Sequence, residues 1–234
     1  YSLNAYYKVI ASIDAAASKK ENCDSTGKNC KGFLPIGSLQ NDFDGNFDGN
    51  NHIIKNLMIN RPDEDSIGLF KATRGELAVK NLGLDSVSVV GRNYVGAVAG
   101  YMSGDSLKKA FSNGDVEGFS VIGGLVGEIQ NAAVVNAYST ARVKGDSVVG
   151  ALVARAFSSS VKDAYSAGKV TAAKIAGGLI AVMQDTKDTS DYWDYETTGL
   201  MASASGFPYS TYRMTKKETF SSWNFNDVWG ITPD

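Results

Sequence analysis

The chain has 234 residues, 43% of them hydrophobic and 21% charged, so it can build a packed core and is not a disordered segment. A net charge of −2 with no basic block excludes a phosphate-reading nucleic-acid surface and gives no hold on an anionic membrane. No apolar run approaches the ~20 residues of a membrane helix, and 25 Gly against 4 Pro point to many tight turns without proline-rich linkers.

Residues 1–65 read as irregular coils. No signal peptide opens the chain, and YSLNAYYKVIASID reads as the middle of something longer, so a fragment of a larger protein is expected. Cys23 and Cys30 lie in the polar loop ENCDSTGKNCK. Zinc would need more ligands, and the chain has one His and no further Cys. A disulfide closing a short loop fits better than two free thiols and implies an oxidising compartment. Next, DGNFDGNNHIIK imitates a calcium loop: Asp44, Asn46, Asp48 and Gly49 fill positions one, three, five and six. Position twelve, which needs a bidentate Glu, is Lys55, and no flanking helices are predicted. The better reading is a tight turn in which Asp and Asn cap backbone groups, so no metal is expected.

Residues 66–184 repeat. Val95–Gly96, Ile122–Gly123, Val149–Gly150 and Ala176–Gly177 follow one another at steps of 27 residues, while Ile67–Gly68 is one residue out of phase. Other columns keep the step: Phe111, Tyr138, Tyr165 and Tyr192; Ser112, Ser139 and Ser166; Leu107, Val134 and Val161; Val116, Val143 and Val170. A period of this length indicates a solenoid, propeller or array. The unit IGGLVGEIQNAAVVNAYSTARVKGDS holds three β-branched runs, GGLVGEI, VVNAYS and ARVKG, divided by small polar turns, with no sustained period of 3.6. It is too short for a propeller blade of ~40 residues, and no leucine ladder is present. Three short strands per coil, each pairing in parallel with its equivalent ~4.8 Å away, is the natural reading. The Leu107 and Val116 columns should then point inward. The aromatic column should stack as a ladder, inside or outside. The recurrent Gly suits a corner where a side chain would clash or φ is positive.

Residues 185–234 drop the repeat and turn aromatic, as a terminal capping unit should. Thr215 with Glu218 forms a capping-box pattern that predicts a short helix. Trp193, Trp223, Phe225 and Trp229 are available to cover the last coil. Tyr192, Trp193 and Tyr195 are candidate platforms for sugar rings, but packing within the cap is the stronger reading.

Catalytic motifs are sparse. His52, the only histidine, would have to serve any Ser-His-Asp device, and no GxSxG or HExxH motif occurs. Ser106 to Lys109 and Ser159 to Lys162 match SxxK in turn-to-strand segments without a following KTG. Paired acids for glycoside hydrolysis are not evident, because Asp115 is followed in its column by Arg142 and Lys169.

The units VGAVAGYMSGDSLKKAFSNGDVEG and IGGLVGEIQNAAVVNAYSTARVKG resemble GLUG repeats. The lead-in FLPIGSLQNDFDGNFDGNNHIIKNLMINRPDEDSIGLF and the ending YWDYETTG with MTKKETFSSWNFNDVWGI resemble the flanks of such repeats, so the likeness covers roughly residues 30 to 231. Ala154 and Ala181 depart from the pattern where Gly100 and Gly127 suggest glycine, a change that packing should tolerate. The family occurs in bacterial surface proteins, among them filamentous-haemagglutinin-like adhesins and IgA-cleaving proteases. It implies an all-β fold, a right-handed parallel β-helix, here of six to eight coils. It also implies a secreted or surface-displayed, monomeric, non-catalytic module without cofactors. Such a module acts as adhesin or stalk, joined to other domains of a parent protein and facing a host or environmental protein or glycan. The alternative is a carbohydrate-binding or carbohydrate-active β-helix, or the non-catalytic part of a surface protease.

Overall fold

Runs of β-branched and small residues pair with the same runs one repeat later, and this pairing builds the molecule. The computed structural model describes residues 2–38, 40–75 and 78–231, and winds them into a parallel β-solenoid. The registers reproduce the sequence columns. Leu107 pairs with Val134 and Val134 with Val161. Val116 pairs with Val143 and Val143 with Val170. All six side chains are buried, and they belong to one continuous core. No coil could bury these faces alone, so each level lends stability to the next.

Three sheets wrap the core. The long face stacks eight levels, from Tyr6–Lys8 and Asn46–Asp48 through Ala78–Val90, Ser106–Glu117, Ala133–Ser139, Tyr165–Ser166 and Tyr192–Asp194 to Phe207–Tyr209. The second face stacks Phe70–Arg74, Ala99–Ser103, Val126–Gln130, Val153–Phe157 and Ile180–Gln184. The solenoid therefore has about five complete turns rather than six to eight, and partial coils lengthen the long face at both ends. The third sheet stacks Asn93–Val95, Ser120–Gly123, Val148–Gly150 and Ile175–Gly177. This is a separate short strand that the expected runs did not include; with it residues 133–157 hold four strands, while residues 78–103 and 106–130 hold three because their long-face runs join into one strand. The run expected as GGLVGEI breaks after Gly123, and Val126–Gln130 starts afresh on another face.

The glycine column explains that break. Gly96, Gly123, Gly150 and Gly177 are absent from the positive-φ positions. Each instead lies against a neighbouring backbone: a Cβ at Gly96 would stand 2.6 Å from the Cα of Val126. Close approach, not left-handed backbone, is what requires glycine here. The one-residue phase slip is absorbed elsewhere. Ser112 pairs with Leu84 and Gly114 with Val87, so Asp85 and Ser86 together oppose Asn113 in a bulge.

A second column was not anticipated. Asn81, Lys109, Asn136, Asp163 and Ser190 all take left-handed backbone, with φ between 52° and 62°. This turn inside the long-face strand makes inward residues recur at a spacing of three. Val134 and Ala137 are both buried, as are Val161 and Ala164. Short polar side chains suit such a turn because they tolerate that region and bond locally.

The serine column is interior. Ser112, Ser139 and Ser166 are fully buried; Ser112 Oγ donates to the Gly124 carbonyl at 2.8 Å, and Ser166 Oγ to that of Gly178 at 2.5 Å. In the next level the register puts Trp193 where the serines stood. Its ring occupies the space a Gly178 side chain would need, and its Nε1 donates to the Leu200 carbonyl at 2.9 Å. Trp193 thus plugs the interior of the last coil. Helix α1, Tyr195–Thr198, follows, N-capped by Asp194 and ended by left-handed Gly199. Helix α2 spans Thr211–Met214. The proposed capping box does not form: Thr215 closes α2, its Oγ1 donating to the Tyr212 carbonyl, and Lys217–Phe220 is a 3-10 turn begun by Lys216 without a side-chain cap. Ala154 and Ala181 pack with Val121 and Val148 in a small apolar cluster of their own.

Candidate functional site

The aromatic column stands outside the coil. Phe111, Tyr138 and Tyr165 alternate with inward neighbours, and their rings stack in parallel at 5.0 and 4.8 Å with interplanar angles of 6°. Tyr192 keeps the register but not the stack; it packs edge-on against Phe220 at 5.2 Å and beside Tyr209. The C-terminal tail then folds back along this flank instead of closing the end of the coil. Trp223 and Trp229 stack on each other at 4.2 Å and lean on Tyr165, and Trp229 also leans on Tyr138. Trp223 Nε1 donates to the Ser190 carbonyl at 2.8 Å, and Ser222 bonds the Ser190 hydroxyl, which pins the tail to the stack. Burial pushes the phenols of Tyr138 and Tyr165 up, so both stay neutral donors.

Between tail and long face runs a groove of about 1020 Å³. One wall is lined by Asn51, His52, Ile53, Asn81, Lys109, Asn136 and the ladder residues; the other by Trp229, Gly230 and Ile231. Phe111 is the lowest ring of the ladder. Its register partner is Gly83, over which its ring leans, with Ile53 alongside. Asn51, Asn81 and Asn136 on this flank all take left-handed backbone, and Asn81 Nδ2 donates to Asp48 at 2.9 Å.

The other sequence candidates fall elsewhere. Tyr192 and Trp193 are buried and Tyr195 is packed against the core, so the three do not form an exposed platform. Asp48 accepts from the Asn50 amide, from Asn81 and from Tyr6, and lies 3.7 Å from Lys80. Asn46 Oδ1 accepts from the Ala78 amide. Asp44 lies beside Gly75. These contacts tie each residue to the neighbouring level, and no cluster of three or more metal-binding side chains forms among the described residues. Ser159 Oγ donates to the Phe157 carbonyl and accepts from the Ala132 amide, as a turn staple. Ser106 opens the strand Ser106–Glu117, and Lys109 stands at its left-handed turn. Asp115 forms a bidentate pair with Arg142 of the next level at 2.6 and 2.7 Å, and Glu117 pairs with Lys144 at 2.6 Å. Cys23 and Cys30 form a disulfide across a short loop. Within that loop Thr26 and Asn29 hold the Asp24 carboxyl down at about 2.

The tail over the ladder and the left-handed column were not read from the sequence. The column had a signal, since Asn81, Asn136, Asp163 and Ser190 recur near the repeat step.

No family model matches the chain, so the resemblance to GLUG repeats rests on its motifs. Over 118 residues, 49% of the chain, it is 36% identical to halomucin of Haloquadratum walsbyi, and it spans about 1% of that protein's length. In structure it is similar to a candidate immunoglobulin A1 protease from Bacteroides ovatus, with a TM-score of 0.63 and 16% identity, over 97% of this chain and 83% of the other. At that identity the likeness speaks for the β-solenoid fold alone.

Proposed function

We propose that the chain is a non-catalytic module of a secreted or surface-displayed protein, a stiff stalk that presents an adhesive flank. The carrying observation is the constant 27-residue register of the middle levels, which place like residues at like positions and so make a rod. The charged columns support this reading, because Asp115 and Glu117 are paired with Arg142 and Lys144 on the solvated surface. The disulfide fits an oxidising exterior. The 118-residue likeness to halomucin is compatible with this reading. The test is antibody labelling of intact and lysed cells that express the parent protein. Labelling of intact cells is expected; labelling only after lysis would overturn the proposal.

A further inference from the structure

We infer that a row of lysines on the long face binds an acidic polysaccharide laid along the stacking axis; the inference rests on the module's being extracellular and names what its flank adheres to. Charge order singles the row out. Among the described strands, charged residues that pair in register join opposite signs at Lys8–Asp48, Asp48–Lys80, Asp14–Lys55, Lys55–Asp85, Asp115–Arg142, Glu117–Lys144 and Glu128–Arg155. Lys80 on Lys108 is the exception. Lys8, Asp48 and Lys80 alternate in sign up one column, and Lys108 stands where the alternation calls for an acid. Like charges directly opposite destabilise a sheet, a cost that the other charged register pairs avoid.

The row continues upward. Val135 follows Lys108 in the column, then Lys162, and Lys187 stands one level above Lys162. Lys109 lies beside Lys108 at the left-handed turn. Asp48 answers Lys80 at 3.7 Å. Lys108, Lys109, Lys162 and Lys187 are exposed, and among the described residues no carboxylate comes within ion-pair reach of them. Asp163, next to Lys162, and Asp185, at the turn before Lys187, are the acids beside the row. Ser106, Ala133 and Ser160 pair in register alongside, so short side chains leave the ammonium groups standing clear.

Spacing chooses the partner. Successive levels are ~4.8 Å apart, so Lys80 to Lys187, four steps, spans ~19 Å. A linear polyuronate carries one carboxylate on each pyranose ring, and its ring-to-ring step is close to that level spacing. An extended acidic peptide returns a side chain to one face only every ~7 Å. Each strand of a nucleic-acid duplex steps its phosphates at ~3.4 Å.

The test is calorimetric titration of the purified chain with decagalacturonate, maltodecaose and decaglutamate. Saturable binding to decagalacturonate is expected, weakening as salt rises, with neither comparison chain matching it. Lys162→Ala should weaken binding about fivefold, the worth of one lysine at an anionic surface. Val135→Lys fills the gap in the row and should tighten binding by a similar factor, a gain that misfolding cannot imitate. Lys108→Glu restores the alternating column, so it should melt no lower than the parent yet bind more weakly than Lys162→Ala. Lys144→Ala removes the same charge from a lysine already paired with Glu117 and should leave affinity unchanged. No binding to decagalacturonate, equal binding to either comparison chain, or an equal response to Lys162→Ala and Lys144→Ala would overturn the inference. Surface labelling of intact cells would stand in any of those cases, so the two proposals fail separately.

Discussion

Asp191 should make the fold less stable as pH rises through neutrality. It is fully buried; one carboxylate oxygen accepts from the Ala164 amide at 2.8 Å and the other from the Thr189 amide at 3.2 Å. Burial is the largest influence and pushes its pKa up from 3.8 to about 7, aided by Asp188 and Asp163 and opposed by the two amides. The folded value lies above the unfolded one. The stability linked to this group is therefore complete below pH ~4 and is lost as pH climbs through about 7. A rise of about three units is worth ~4 kcal/mol. Asp191→Asn removes that dependence. Its single carbonyl oxygen can keep the Ala164 bond but leaves the Thr189 amide unmatched, at a cost of about 1–3 kcal/mol. The variant should then be less stable than the parent by about 1–3 kcal/mol at pH 4 and more stable by a similar amount at pH 8. Urea unfolding followed by tryptophan fluorescence at pH 4 to 8 measures both. A parent–variant difference that stays constant across this range would refute the reasoning.

Three further outcomes follow from the same geometry. Val134→Asp buries an unpaired charge between Leu107 and Val161 and should cost more than ~4 kcal/mol; Val135→Asp, on the outward side, should melt close to the parent in a thermal scan. Lys109 is the one long side chain in the left-handed column, so Lys109→Asn should stabilise by up to ~1 kcal/mol and raise Tm by about 2–4 °C. Trp223→Ala removes the ring and the Ser190 bond that pin the tail. It should cost about 3–5 kcal/mol and speed amide exchange in the tail and around Tyr165, read by hydrogen–deuterium exchange.

Much of this was legible because a stacked fold writes its register directly into the sequence. Leu107, Val134 and Val161 are neighbours in space since the chain repeats them at the coil length. The corner after Gly123 was not legible: a close backbone approach leaves only a small residue as its trace, and the apolar run continues unbroken across it. Lys109 hid the left-handed column by standing where the other levels have Asn, Asp or Ser. Trp193 could have been placed, because it continues the serine column by one more step. The tail could not. Its aromatic content announces burial, but the core end and the outer ladder both offer apolar surface. The choice depends on bonds such as Trp223 to Ser190, far apart in sequence.

The central claim is the parallel stack with its register of 27 residues, and cysteine pairs across levels test it most directly. Val135 pairs in register with Lys162, and Lys162 with Thr189, all three outside the core. Adjacent levels are ~4.8 Å apart, within reach of a disulfide, while two levels are ~10 Å apart, beyond it. Under mild oxidation the Val135→Cys, Lys162→Cys protein should form an intramolecular bond that peptide mapping identifies, and the Val135→Cys, Thr189→Cys protein should not. A bond in the second protein and none in the first would contradict the register on which the account rests.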